Sequence, residues 1–150
     1  MFKDLNTEAC KHLLDANYIG RIGYISKNNA DIIPITYYYD ADQHSIISYS
    51  GEGFKIDAMR KNESVSFQVD EIESVNQWKS VLLYGTFEEL SGSDAKRLLH
   101  KFSEGVKKNI SKKENASPKF IGEFSSKLSA IGSPVVYRIN ISGMTGKQRI

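Results

Sequence analysis

The sequence predicts an α+β fold made mainly of β-structure: an antiparallel sheet closed into a barrel, with helices at its periphery. Three observations carry this expectation. From Tyr18 to Leu90 the chain runs in segments rich in Ile, Val, Tyr and Thr, separated by short turn sequences. Helical periodicity is confined to the flanks of that region and one short insertion within it. The strands also follow one another directly, without the crossovers of a dozen or more residues that a parallel sheet requires.

The elements follow in order. Asn6 or Thr7 caps a first helix, with Glu8 near its positive end and Cys10, Leu13 and Leu14 forming one buried stripe. That helix stops near Asn17. Ile19–Ser26, Asp31–Tyr39 and His44–Ser50 read as three strands of an antiparallel meander, joined through Lys27–Ala30 and Asp40–Gln43. Pro34 lies inside the second strand, which marks an edge, a bulge or a place where the backbone serves something other than a neighbouring strand. Gly51-Glu52-Gly53 breaks the pattern before a short helix, Lys55–Lys61. Strands return at Ser64–Ile72 and Trp78–Leu90. Ser93 caps a helix to about Glu104, with Leu98, Leu99 and Phe102 inward. Lys107–Asn115 reads as a solvated loop, Ser117-Pro118 opens a helix ending near Leu128, and Val135–Ile141 is the last strand.

Composition narrows the function. A chain of 150 residues fits one domain, 1–150, and buries roughly two-thirds of its unfolded surface. A net charge of +2 is too small and too dispersed for nucleic acid to be the main partner. The basic run of Lys101, Lys107, Lys108, Lys112 and Lys113 has no interleaved stacking platform and reads as a solvated face. Cys10 is the one cysteine, so an intrachain disulfide is excluded and a reducing compartment is expected. The first residues lack the apolar core of a signal peptide, and no run of eighteen apolar residues exists to span a membrane. The expected location is the cytoplasm.

The familiar catalytic patterns are missing. His12, His44 and His100 lack the close spacing of metal ligands, and Cys10 falls on a buried helix face. Nucleophile-elbow, Walker and dinucleotide fingerprints do not occur. The informative segment is Ser48-Tyr49-Ser50-Gly51-Glu52-Gly53-Phe54-Lys55. Hydroxyls end a strand, two glycines permit a tight turn, and a lysine opens a helix whose first N–H groups are free, which together suit a phosphate. The same residues also describe a plain glycine-rich turn with Lys55 in solvent. Arg21 and Arg60 read as surface charges or structural ion pairs.

In order along the chain, Leu14–Gly23, Ile33–Tyr37, Ser50–Lys55, Trp78–Val81 leading to Gly85, and Val135–Ile139 with Gly143–Lys147 resemble one family. It is the pyridoxamine 5′-phosphate oxidase-like superfamily, in the branch that includes nitroimidazole-resistance proteins. The resemblance implies a six-stranded Greek-key split barrel that forms a homodimer with FMN at the subunit interface. It places the phosphate on Lys55, Ser48 and Ser50, within the segment that also includes Tyr49 and Gly53. Backbone around Pro34, Ile35, Thr36 and Tyr37 would face the polar edge of the isoalloxazine ring. Ser80 and Val81 match positions beside the ring or ribityl chain, and Trp78 packs by the flavin or at the dimer seam.

The implied activity is reduction of a small acceptor, nitroaromatic or quinone-like, by the flavin, with NAD(P)H as a candidate donor and no metal or acid–base residue required. The alternatives are a flavin-binding sensor or carrier without turnover, or haem or a deazaflavin on the same barrel. Two departures stand out. Ser48 occupies the place of a histidine in the nitroimidazole-resistance relatives, and Phe54 precedes Lys55 where true pyridoxamine 5′-phosphate oxidases carry an arginine. Vitamin B6 oxidation is therefore not expected.

Overall fold

The computed structural model describes residues 1–114 and 134–150. It opens on a strand the sequence did not announce, β1 (Phe2–Leu5), followed by α1 (Thr7–Ala16). Asn6 ends one and starts the other, its Oδ1 accepting the Ala9 N–H at 2.8 Å. Cys10, Leu13 and Leu14 form the buried stripe of α1. β2 (Ile19–Ser26) and β3 (Asn29–Thr36) make a hairpin whose two loop residues, Lys27 and Asn28, have φ of 49° and 66°. Paired left-handed residues give the turn whose twist matches the strands it joins.

The expected strand Asp31–Tyr39 is broken at Tyr37, and the break closes the barrel. Among the described residues β3 pairs only with β2, whereas β4 (Tyr38–Asp40) pairs only with β5 (Ser45–Ser50). The meander expectation is corrected accordingly: two halves of one bent segment join opposite ends of the sheet. The strand order is β3-β2-β6-β7-β8-β5-β4, with β1 paired to β8, β6 being Ser64–Ser74, β7 Gln77–Glu89 and β8 Val135–Arg149. The pairs along this path are antiparallel. Because β3 and β4 are joined through Tyr37, the path returns on itself. Among the described residues eight strands therefore replace the expected six, through β1 and the split at Tyr37.

Alternation along the strands sorts the side chains. Ile22, Tyr24, Phe67, Val69, Val81, Leu83, Tyr137 and Ile139 fill the barrel, joined by Ile56 and Met59 of α2 (Phe54–Lys61) and by the stripe of α1. Ile47 and Val136, one residue out of phase, point outward to α3 (Gly92–Glu114) and meet Leu98, Phe102, Val106 and Ile110. The helix thus runs ten residues beyond Glu104, and Lys107–Glu114 is helix rather than loop. The spacing of Phe102, Val106 and Ile110 keeps the buried stripe going, while Lys108 and Lys112 are exposed. Gly105 makes room for the ring of Tyr38, which a β-carbon there would strike. The last strand continues past Ile141 to Arg149 between β7 and β1. The expected helix after Ser117-Pro118 lies outside the described residues. Among the described residues no helix is long and apolar enough to cross a membrane, and no three metal-ligating side chains cluster.

Arg138 and Glu88 face each other across β8 and β7. Arg138 Nε donates to Glu88 Oε1 at 2.7 Å and Asn140 Nδ2 to the same oxygen at 2.9 Å. These bonds, Arg138's foremost, hold the Glu88 carboxyl below its ordinary range. A depressed carboxylate adds stability above its unfolded pKa, and that stability is lost as pH falls through the folded value. Glu88→Gln is expected to flatten the acid limb of a stability–pH profile below about pH 4.3. The pair is partly exposed, so the difference should stay under about 1 kcal/mol at neutral pH. Parallel acid limbs in urea titrations of the two proteins would refute this.

Candidate functional site

The expected binding residues fall into two groups. The first comprises the ends of β3 and β5, which lie side by side, and the start of α2, which follows β5 through Gly51-Glu52-Gly53. Tyr37 N–H donates to Tyr18 O at 2.9 Å, which fixes the phase of the β2–β3 ladder. Ile35 and Ile33 therefore turn their backbone groups toward β2, while Pro34 and Thr36 turn theirs to the open edge. Pro34, exposed on an edge strand, forfeits no ladder bond there. The Thr36 carbonyl accepts the Ser48 hydroxyl at 2.8 Å, tying the two segments together. Thr36 N–H is left facing the open edge.

Several expected site residues commit their side chains to the interior. Ile35, Tyr37, Ser48 and Val81 are buried. The Tyr37 hydroxyl donates to Leu14 O at 2.7 Å, and burial pushes its pKa well above that of a free tyrosine. Ser48 spends its proton on Thr36, inside the barrel seam. Tyr49 is half-buried, its ring 5.3 Å from that of Phe102 on α3. Ser50, also half-buried, donates to Gly51 O at 2.9 Å.

Lys55 differs from all of these. It is half-buried one residue inside the start of α2, and among the described residues its ammonium has no hydrogen-bond or ion-pair partner. Burial alone draws its pKa below the usual lysine value. Gly53 caps α2 without a side-chain acceptor, and the first helical bond runs from Asp57 N–H to Gly53 O at 3.0 Å. The early N–H groups of the helix are thus available beside a desolvated cation. A phosphate or carboxylate is the chemistry such a place accepts.

The second group, Trp78, Ser80 and Val81, sits on β7, three strands from β3 and two from β5 along the sheet path. At about 4.8 Å per strand the ladders separate Ser80 from Thr36 by roughly 14 Å. The Trp78 ring lies 5.9 Å from that of Phe2, and Ser80 Oγ accepts from Gln68 Nε2 at 2.9 Å. Between the groups, register places Ile32, Gly23, Ser66 and Tyr84 in one row across the outer face, and Pro34, Arg21, Gln68 and Leu82 in the next. Ile32 is 71% and Tyr84 51% exposed, with small residues between them. They line a groove of about 420 Å³ with Ile25 and Ser142.

Arg60 makes the structural ion pair that was one of its two expected roles, with partners the sequence did not name. Arg60 bridges two carboxylates: Nη1 and Nη2 donate to Glu52 at 2.8 and 2.9 Å, and Nε and Nη2 to Glu89 at 2.7 and 2.9 Å. Both carboxyls are held below their ordinary range by those bonds. Glu52 is visible in the sequence as the centre of Gly-Glu-Gly, but nothing local signals its partner.

Comparisons with known proteins agree with this architecture. A solved FAD-binding protein from Mesorhizobium loti superposes with a TM-score of 0.75 at 28% identity, covering 100% of this chain and 99% of that one. A Bacteroides thetaiotaomicron protein named for 5-nitroimidazole antibiotic resistance has the same fold, with a TM-score of 0.70 at 15% identity over 99% of this chain and 89% of its own. An uncharacterised Rhizobium meliloti protein is 35% identical over 86 residues, 57% of this chain; the match spans little more than half of that relative, 56%. The family model described as pyridoxamine 5′-phosphate oxidase matches residues 6–148. With nearly its whole length matched, the chain belongs to the pyridoxamine 5′-phosphate oxidase family.

Proposed function

We propose that this protein is a flavoprotein oxidoreductase that holds FMN at the interface of a homodimer and passes electrons to a small nitroaromatic or quinone-like acceptor. The observation that carries the reading is Lys55, a partly desolvated ammonium with no partner among the described residues, near the uncapped start of α2. A riboflavin 5′-phosphate meets that need, and the M. loti relative, named as FAD-binding and similar over its full length, supports a flavin as the ligand. Lys55 and the first N–H groups of α2 bind the phosphate, and Ser50 lies at the adjoining strand end. The open-edge N–H of Thr36 orients the polar rim of the ring. Bound flavin supplies the hydride chemistry.

The distance between Thr36 and Ser80 supports the dimer. A second copy laid across the exposed Ile32–Tyr84 row supplies Trp78 and Ser80 to the flavin held by the first, and covers apolar surface that is otherwise wet.

Purified protein is expected to be yellow or to bind added FMN, and to sediment as a dimer. Colourless protein that does not bind FMN overturns the proposal. Heat-released flavin is expected to be FMN; release of FAD would assign the same phosphate site to the dinucleotide. NADH or NADPH in stopped flow should bleach the flavin, and failure of both would reassign the protein as a flavin-binding module. Lys55→Ala is expected to weaken FMN binding by about 1.5–3 kcal/mol, the range for a charge-assisted hydrogen bond. Unchanged retention would place the phosphate elsewhere.

A further inference from the structure

Glu52 stands next to Gly53, the cap of α2, and three residues from Lys55. An unrestrained carboxylate there has two attractive destinations: the Lys55 ammonium and the free N–H groups of the helix start, both of which favour an anion. It takes neither. Each of its oxygens accepts from Arg60, at 2.8 and 2.9 Å, and Arg60 is itself fixed to Glu89 of β7 at 2.7 and 2.9 Å. Arg60 sits in the last turn of α2, at the opposite end from Lys55. A β-carbon at either glycine beside Glu52 would meet open space, so close packing does not dictate the path of the loop and the bridge from Glu52 to Arg60 helps to steer it.

We infer that Arg60 is a positioning residue for the phosphate site: it sequesters the acid of the Gly51-Glu52-Gly53 loop, keeping Lys55 and the start of α2 free for an anionic ligand. The inference deepens the flavin reading and rests on it for the identity of the ligand. Glu89 anchors the guanidinium on the barrel wall so that it does not follow Glu52 toward solvent. A self-supplied carboxylate would otherwise occupy the site as an internal competitor and repel incoming phosphate.

The mechanism makes Arg60 act through Glu52, and a double-mutant cycle reads that directly. Arg60→Met is expected to weaken FMN binding about tenfold. Adding Glu52→Gln removes the competitor and should restore affinity to within about threefold of the parent. A scaffold role for Arg60 would leave the double variant as weak as the single one. The Lys55 side chain, followed by NMR in ligand-free protein, gives an independent reading. Its pKa should rise in Arg60→Met, where Glu52 swings toward it, and return in the double variant. If the parent protein binds no FMN, the flavin assignment fails while the Lys55 titration still decides sequestration. No rise in Arg60→Met, or a loss of affinity that Glu52→Gln does not rescue, would overturn the inference.

Discussion

Phe67→Ala is expected to lower the stability of the protein by about 3–5 kcal/mol, the largest loss of any single side chain considered. Phe67 is fully buried at the centre of the barrel. Its ring meets that of Tyr37 edge-on at a centroid distance of 4.9 Å, and it fills the space over Gly20, where a β-carbon would collide with it. Gly20 and Phe67 are therefore one packing unit across β2 and β6. Truncation opens a cavity that Gly20 has no side chain to fill, and Tyr37 is pinned by its hydroxyl to Leu14 O and by its amide to Tyr18 O. Collapse into the void would break the seam that closes the barrel, so the cavity stays open. For a chain of this length the melting temperature should fall by roughly 10 °C or more. Phe67→Leu, which keeps most of the volume, should cost clearly less. A Phe67→Ala loss under about 1.5 kcal/mol would mean that the barrel relaxes, contrary to the rigidity argued from Tyr37.

The same residues show how far the sequence alone could reach. β2 was legible to the residue because Ile19–Ser26 carries its own β-propensity and ends at a turn that Lys27 and Asn28 make locally. The break at Tyr37 was not, because Thr36-Tyr37-Tyr38 reads as continuous strand; only pairing with two different partners divides it. β8 beyond Ile141 has Gly143, Gly146 and several polar residues, poor strand formers that are held by β7 on one side and β1 on the other. Lysine content hid the last ten residues of α3, although Phe102, Val106 and Ile110 recur at helical spacing. At the site, Lys55 stood out because hydroxyls, glycines and a cation are contiguous. The Glu52–Arg60–Glu89 bridge did not, since Arg60 and Glu89 are 29 positions apart and meet only once the barrel is formed.

The second large effect concerns how α3 is fastened. Asp40 on β4 is buried, with its carboxylate only 2% exposed, and its one ionic contact under 3 Å is Lys101 of α3, Nζ to Oδ1 at 2.9 Å. Among the described residues its other oxygen has no hydrogen-bond partner, nor has the hydroxyl of Ser45, its cross-strand neighbour on β5. The carboxylate therefore depends on a single cation. Lys101→Met keeps the aliphatic stem and removes only that charge, stranding a buried anion; the expected cost is about 2–4 kcal/mol, reduced from the fully buried case because Lys101 remains about one-third exposed. Asp40→Asn in the Lys101→Met background should recover most of this loss, because a neutral amide needs no counter-charge and can donate to the Ser45 hydroxyl. A Lys101→Met cost below about 0.5 kcal/mol, or a double variant as unstable as the sum of both singles, would show that the pair is not what fastens the helix. The consequence reaches the flavin site. Phe102 follows Lys101 directly and supports the ring of Tyr49, whose neighbour Ser50 ends the strand entering the phosphate loop. Loosening α3 should thus reduce FMN retention in Lys101→Met, and the double variant should regain it together with stability.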